Sequence, residues 1–77
     1  MRIKLFAALR DIAGTSLLDV DAPDVATLRE DLSAKFGEEF ERILAAGAVI
    51  VDGEKADPGR SLKPGDEVAL LPPVSGG

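Results

Sequence analysis

At 77 residues the chain has the length of one small domain, and its composition removes most of the usual catalytic side chains. It contains no cysteine and no histidine, so no disulfide, thiolate or imidazole is available for stability, catalysis or metal binding, and an autonomous enzyme is not expected. A formal charge of −5 argues against nucleic acid as a partner, and the lack of a membrane-length apolar run or a secretory signal favours a cytoplasmic protein without membrane contact.

The N-terminal part predicts two paired strands. Residues 2–6 alternate polar and apolar side chains, which is typical of a half-buried strand and directs Phe6 away from the core. A second strand is predicted over residues 17–21, after a short helical turn over residues 8–13 that Gly14 would close. A turn between the strands would make a β-hairpin. The side chains expected to face the core are Ile3, Leu5, Leu18 and Val20.

Two helices are predicted in the middle of the chain. Asp24 follows a proline and precedes a helical pattern, so it is a good N-cap, and Gly37 supplies the stop. A shorter helix follows over residues 38–46, with its glutamates mostly in the first turn, where they suit the positive end of the helix dipole. The apolar residues of the two helices are Val25, Leu28, Leu32, Phe36, Phe40, Ile43 and Leu44.

The C-terminal part predicts further strands. Residues 48–51 are apolar and mostly β-branched, and Asp52-Gly53 after them is a strong hairpin signal. The last strand covers residues 67–71 and would point Leu71 outward if Val68 and Leu70 point inward. The order of elements predicts an α+β domain with one sheet packed on one main helix.

Residues 72–77 are predicted to form an extended C-terminal tail beyond a domain of residues 1–71. The tail begins with two prolines, which fix φ and remove two backbone donors, and it ends in two glycines. If it is extended, the terminal carboxylate reaches roughly 20 Å beyond the fold. A terminal diglycine alone would be compatible with an ordinary frayed chain end.

The tail and its approach resemble a known family. Residues 65–77, GDEVALLPPVSGG, are similar to the C-terminal signature of the molybdopterin synthase small subunit, the MoaD branch of the MoaD/ThiS ubiquitin-like sulfur carriers. Residues 5–14, LFAALRDIAG, resemble the opening strand and turn of that family. The resemblance runs along the whole chain and implies a ubiquitin-like β-grasp fold, with the first and last strands adjacent and parallel.

The resemblance also implies a function in sulfur delivery. A ubiquitin-activating-like adenylyltransferase would use ATP to activate the terminal Gly77, and a sulfur donor would convert it to a thiocarboxylate. That group would enter the large, catalytic subunit of molybdopterin synthase and give its sulfur to a cyclic pyranopterin, which forms the dithiolene of molybdopterin. The implied assembly is a heterotetramer, and this chain itself would bind neither cofactor nor metal.

Each candidate site residue follows from its place in this scheme. Gly77 carries the reacting carboxylate, and Gly76 keeps the end of the tail free of side chains. Phe6 and Leu71 would form an apolar patch at the root of the tail, where the family docks its partners. Val74 would anchor the tail in a partner groove. The predicted partner-binding residues are Phe6, Leu71, Pro72, Pro73, Val74 and Ser75.

Three alternatives remain open on the sequence. The chain resembles carriers for thiamine thiazole, tRNA or cysteine sulfuration in its tail chemistry, although the double proline favours the molybdopterin branch. A ubiquitin-like modifier would use the same activation and attach Gly77 to lysines of other proteins. A plain β-grasp binding module would have an inert terminus, and deletion of Gly77 would leave its function intact.

Overall fold

The computed structural model describes residues 1–73, and its framework is one mixed sheet with three helices. The strands are β1 (Arg2–Leu5), β2 (Leu17–Asp19), β3 (Ala48–Val51), β4 (Glu54–Lys55) and β5 (Glu67–Leu71), and the helices are α1 (Ala7–Ala13), α2 (Val25–Phe36) and α3 (Glu38–Ala46). The five strands lie in the order β2-β1-β5-β3-β4. The first and last strands are neighbours and parallel, and the other pairs are antiparallel. The predicted α+β, ubiquitin-like β-grasp fold is therefore confirmed.

The first two strands and the helix between them follow the sequence pattern, with differences at their ends. Helix α1 begins at Ala7 rather than at Ala8. Ile3 and Leu5 are buried as predicted, and Gly14 ends α1 in the left-handed region at φ 77°. Strand β1 ends at Leu5 rather than at Phe6, because Phe6 is the residue that precedes α1. Strand β2 covers three residues rather than five and is the edge of the sheet.

The helices form a single layer over one face of the sheet. Both α2 and α3 have the predicted bounds, and the turn at Gly37 between them has φ 99°, which favours glycine. Phe40 is completely buried, and the centroid of its ring lies 5.1 Å from that of the Phe36 ring. No helix within residues 1–73 combines the length and the apolar character needed to cross a bilayer. The buried core comprises Met1, Ile3, Leu5, Leu9, Val25, Leu28, Leu32, Phe40, Leu44, Val49, Val51, Leu62, Val68 and Leu70.

The Asp52-Gly53 turn is the hairpin that the sequence predicts. Both residues have positive φ, 49° and 84°, which matches the right-handed twist of the flanking strands. The Asp52 N–H donates to the Glu67 carbonyl at 2.8 Å, and the Glu67 N–H donates to an Asp52 carboxylate oxygen at 2.9 Å. These two bonds join the start of β5 to the end of β3.

Asp24 is the N-cap of α2 and gives the fold a pH dependence. Its carboxylate accepts a hydrogen bond from the Thr27 backbone N–H at 2.7 Å, and this bond holds the pKa of Asp24 below its ordinary value. The stabilisation is present above the ordinary aspartate pKa of about 3.9 and is lost as the pH falls through the lower folded-state pKa. We expect Asp24→Ala to lower the melting temperature at neutral pH.

The same substitution should matter less in acid, where the wild-type carboxylate is itself protonated. Thermal melts of the two proteins at neutral pH and below pH 3 measure this convergence. Asp57→Ala is a suitable control, since Asp57 is an exposed loop aspartate rather than a helix cap. An equal loss for Asp24→Ala at both pH values would contradict the capping argument.

Candidate functional site

The candidate site is the face of the sheet that the helices leave uncovered. The strand register places Leu17, Lys4, Ala69, Ile50 and Lys55 in one row across all five strands. Lys4 is exposed while its neighbours Ile3 and Leu5 are buried, so this row points away from the core. Three residues of the row are apolar, and none of the five is fully buried. The two lysines give the row a local positive charge in an acidic protein.

Phe6 lies at the end of this face where β1 passes into α1. Its side chain is 42% exposed, which agrees with the prediction that it points outward. Its backbone is extended, and the next residue, Ala7, has φ 49°, in the left-handed region that residues other than glycine rarely adopt. The chain therefore accepts local strain directly beside the exposed ring.

Leu17 is a site residue that the sequence interpretation missed. It is 46% exposed, and within residues 1–73 it and Phe6 are the exposed large apolar side chains. The two line the same shallow groove, together with Lys4 and Arg10. The period-two pattern of β2 already directs Leu17 outward, but only the register with β1 shows that it joins Phe6.

Leu71 and the prolines form the root of the tail. The register pairs Leu5 with Leu70, so the next residues, Phe6 and Leu71, follow the paired ends of the adjacent strands β1 and β5. Leu71 is half-buried and pairs with Ala48, and this is the last pair of the β3–β5 ladder. Pro72 is half-buried and Pro73 is exposed. Because neither proline has an N–H to donate, the ladder ends at Leu71.

The remaining predicted site residues lie beyond the described part of the chain. These are Val74, Ser75, Gly76 and Gly77. Their roles stay predictions, as do the partner contacts assigned to Phe6 and Leu71. In the described structure, these four residues follow Pro73, just beyond the C-terminal end of the central strand β5.

The described residues do not form a catalytic or metal-binding constellation. Residues 1–73 hold no cluster of three or more carboxylate side chains that could bind a metal ion. The Arg10–Asp11 ion pair beside the groove, at 3.7 Å, joins two largely exposed side chains and contributes little to stability. What the uncovered face offers is exposed apolar area at Phe6 and Leu17 next to basic side chains.

Known proteins are similar to this chain over its whole length. The sequence model of the ThiS family matches residues 3–77. Small archaeal modifier protein 1 of Haloferax volcanii is 37% identical to the chain, and the match covers 100% of both proteins. The molybdopterin synthase sulfur carrier subunit of Escherichia coli K12 is 32% identical, and the match covers 100% of this chain and 99% of that protein.

Solved structures extend the likeness from sequence to fold. A crystal structure of SAMP1 from Haloferax volcanii superposes with a TM-score of 0.81 at 34% identity, covering 100% of this chain and 98% of the other. A chain in the protein–protein complex of subunits 1 and 2 of molybdopterin-converting factor from Helicobacter pylori 26695 superposes with a TM-score of 0.72 at 27% identity. That match covers 99% of this chain and 96% of the other.

Proposed function

The chain belongs to the ThiS family, and from that premise we propose that this ubiquitin-like sulfur carrier is the small subunit of molybdopterin synthase. The observation that carries the proposal is the ending Pro72-Pro73-Val74-Ser75-Gly76-Gly77, which follows directly on the last strand of the sheet. The identity with the Escherichia coli molybdopterin synthase sulfur carrier subunit, over the whole of this chain, supports it.

The proposed chemistry uses only the terminal carboxylate of this chain. A free α-carboxyl group has a pKa of about 3.5, so near neutral pH it is ionised and a poor electrophile. Attack of the carboxylate on the α-phosphorus of ATP, with loss of pyrophosphate, gives an acyl adenylate. Sulfide from a donor then displaces AMP and leaves a thiocarboxylate. The thiocarboxylate sulfur then forms a bond to a carbon of the pterin precursor as a carbon–oxygen bond at that carbon breaks. Water cleaves the acyl–sulfur bond, which leaves the sulfur on the pterin and restores the carboxylate.

The scheme assigns every catalytic side chain to a partner. Activation takes place on an adenylyltransferase related to ubiquitin-activating enzymes, which binds the ATP. Transfer takes place on the large subunit of molybdopterin synthase, and we propose that two small subunits flank a dimer of large ones. The absence of histidine and cysteine from this chain agrees with that division of labour. The proposed requirement for ATP supports a cytoplasmic location.

The uncovered face of the sheet is the proposed docking surface for both partners. Phe6 and Leu17 supply exposed apolar area, and Leu71, Pro72 and Pro73 continue it towards the tail. A few aromatic anchors that become buried carry much of the binding energy of protein interfaces, and we assign that role to Phe6. Extended segments gain affinity from backbone hydrogen bonds and specificity from side chains, and we propose that residues 74–77 bind a partner in this way with Val74 as the anchor.

Phe6→Ala is expected to weaken binding to the large subunit and to the adenylyltransferase by about tenfold or more, because it removes an exposed aromatic side chain from the docking surface. Stability should change little, since the ring is 42% exposed in the free protein. Titration calorimetry with each partner and thermal melts measure the two effects.

Phe36→Ala provides the matched comparison. Phe36 lies on α2, in the layer on the other side of the sheet, and packs against Phe40. That substitution should lower stability and leave partner binding unchanged. If Phe6→Ala instead destabilised the protein as much as Phe36→Ala and bound normally, the docking surface would be wrongly assigned.

The proposal is tested by the intact mass of the native protein before and after incubation with ATP, the adenylyltransferase and a sulfur donor. A gain equal to the exchange of one oxygen for sulfur, mapped to Gly77, supports the sulfur carrier. Conversion of a pyranopterin precursor by the thiocarboxylated form together with the large subunit supports the molybdopterin branch. An unmodified terminus under both conditions would overturn both statements.

A second candidate function is a ubiquitin-like protein modifier. The 37% identity with Small archaeal modifier protein 1 of Haloferax volcanii favours it. Both functions share the acyl adenylate, so they differ only in the nucleophile that attacks Gly77. Conjugates in which Gly77 is joined to lysines of other proteins, found by mass spectrometry in the source cells, would support the modifier.

A further inference from the structure

We propose that Gly47 is a positioning residue for the C-terminal tail, because its lack of a side chain lets the Leu71–Pro72 backbone lie against the corner between α3 and β3. The inference deepens the proposed function, since it concerns how the reacting carboxylate is directed to a partner. Gly47 lies far from Gly77 in sequence and is joined to the root of the tail only by the fold.

The contact is between main chains. Gly47 ends α3, where its N–H donates to the Leu44 carbonyl at 3.0 Å, and β3 begins at the next residue. A Cβ built on Gly47 would overlap the Leu71 carbonyl oxygen. It would also lie 2.9 Å from the Pro72 carbonyl carbon and 3.0 Å from that of Leu71. Backbone atoms cannot rotate out of the way as a side-chain end can, so the chain itself would have to shift.

Gly47 differs in this respect from the other glycines of residues 1–73. Gly14, Gly37 and Gly53 have positive φ, and a Cβ on any of them would meet open space. A Cβ on Gly59 would also meet nothing within 4 Å, at an ordinary φ. Gly47 has φ −99°, outside the left-handed region, and its surroundings exclude a side chain.

The place of this contact gives it control over the tail. The Ala48–Leu71 pair is the last of the β3–β5 ladder, and the prolines that follow cannot extend it. The approach of Leu71 and Pro72 to Gly47 is therefore a contact at the root of the tail, directly after the end of the ladder. For a tail that is extended over roughly 20 Å, as the sequence predicts, a rotation of about 20° at the root would move its end by about 7 Å. Misplacement of a reacting group by about 1 Å can already cost about 100-fold in rate.

The test compares Gly47→Ala with the control Gly59→Ala, both as the full chain, in single-turnover adenylation by the adenylyltransferase. We expect Gly47→Ala to lower the maximal rate by about tenfold or more, with a much smaller change in the concentration for half-maximal rate. Gly59→Ala should match the wild type in both. Amide hydrogen exchange provides a second readout, in which Ala48 and Leu71 exchange faster in Gly47→Ala while Ile3 and Val68 do not.

The possible outcomes separate the inference from the proposed function. Wild-type rate and wild-type exchange in Gly47→Ala would overturn the inference. Faster exchange throughout the sheet, with a rate loss that follows the unfolded fraction, would also overturn it in favour of a purely structural role. A wild-type protein that is never adenylated would instead refute the proposed function, while the local exchange result would still report on the contact.

A second variant keeps the inference testable if Gly47→Ala does not fold. Pro72→Gly leaves Gly47 unchanged and releases φ at the root of the tail, beyond the last ladder pair. We expect a lower maximal rate with an unchanged melting temperature, because a freer root holds the tail less well. An undiminished rate in Pro72→Gly would show that the direction of the root is unimportant.

Discussion

Replacing Gly77 with valine is expected to abolish formation of the thiocarboxylate and sulfur transfer while leaving the fold unchanged. We propose that the reacting carboxylate enters a narrow channel in each partner enzyme. Glycine is the one residue without a Cβ, so only it presents that carboxylate on a backbone free of side chains. Valine adds two methyl groups next to the reacting carbon and restricts its rotation. The described sheet and core lie within residues 1–71, and Gly77 is outside the described residues.

The measurement combines the intact mass after activation, the yield of sulfurated pterin with the large subunit, and a thermal melt. Gly77→Ala should lie between the wild type and Gly77→Val, because it adds one methyl group. Gly59→Val is the matched control, since it makes the same change in a loop where a Cβ meets open space. Full sulfur transfer by Gly77→Val would refute the channel argument.

Deletion of Gly77, measured with the same assays, distinguishes a carrier or modifier from a plain binding module. A carrier and a modifier would both lose their function, because both require the terminal carboxylate at that position. A binding module with an inert terminus would bind its partner as before. Retained binding to the large subunit together with lost transfer is the expected pattern, since the uncovered face of the sheet would still dock.

The helices are the part of the fold that the sequence predicts best, because residues at the ends of a helix determine where it begins and stops. Asp24 caps the first turn of α2, and Gly37 stops it by adopting a φ that side chains disfavour. The spacing of the apolar residues then fixes the buried face. The bounds of α2 and α3 match the prediction residue for residue.

The limits of β1 and β2 were predicted less well, because strand ends depend on a partner. Alternation continues through Phe6, but β1 stops at Leu5 where the chain turns into α1. Val20 also continues its pattern, but β2 as a three-residue edge strand ends at Asp19. Side-chain alternation reports which face is buried and does not report how far a neighbouring strand extends.

The candidate site also has features that local sequence predicts and features that depend on strand pairing. The tail and the outward direction of Phe6 follow from local sequence. The meeting of Phe6 with Leu17 depends on the β1–β2 register, and the close approach of Gly47 to Leu71 depends on the β3–β5 ladder. Neither pairing leaves a local signal, since a glycine after a helix is most simply explained as a helix stop.

Phe40→Ala is expected to destabilise the protein by about 3–5 kcal/mol, the usual cost of truncating a buried phenylalanine. Its side chain is completely buried on α3 and packs against the ring of Phe36, so the helix layer would keep a cavity beneath it. A domain of this length has a total stability of about 4–12 kcal/mol. The substitution would therefore remove a large share of it, and the melting temperature should fall by on the order of 20 °C.

Phe6→Ala is the matched control for Phe40→Ala, since it deletes the same atoms from an exposed position. Chemical denaturation of both variants should show a much lower midpoint for Phe40→Ala and a near-normal one for Phe6→Ala, with similar slopes. Phe40→Leu, which keeps most of the apolar volume, should recover much of the loss. Equal midpoints for the two alanine variants would mean that Phe40 does not contribute to the core as its burial requires. The pair thus separates the residue that holds the fold together from the one that the fold presents to a partner.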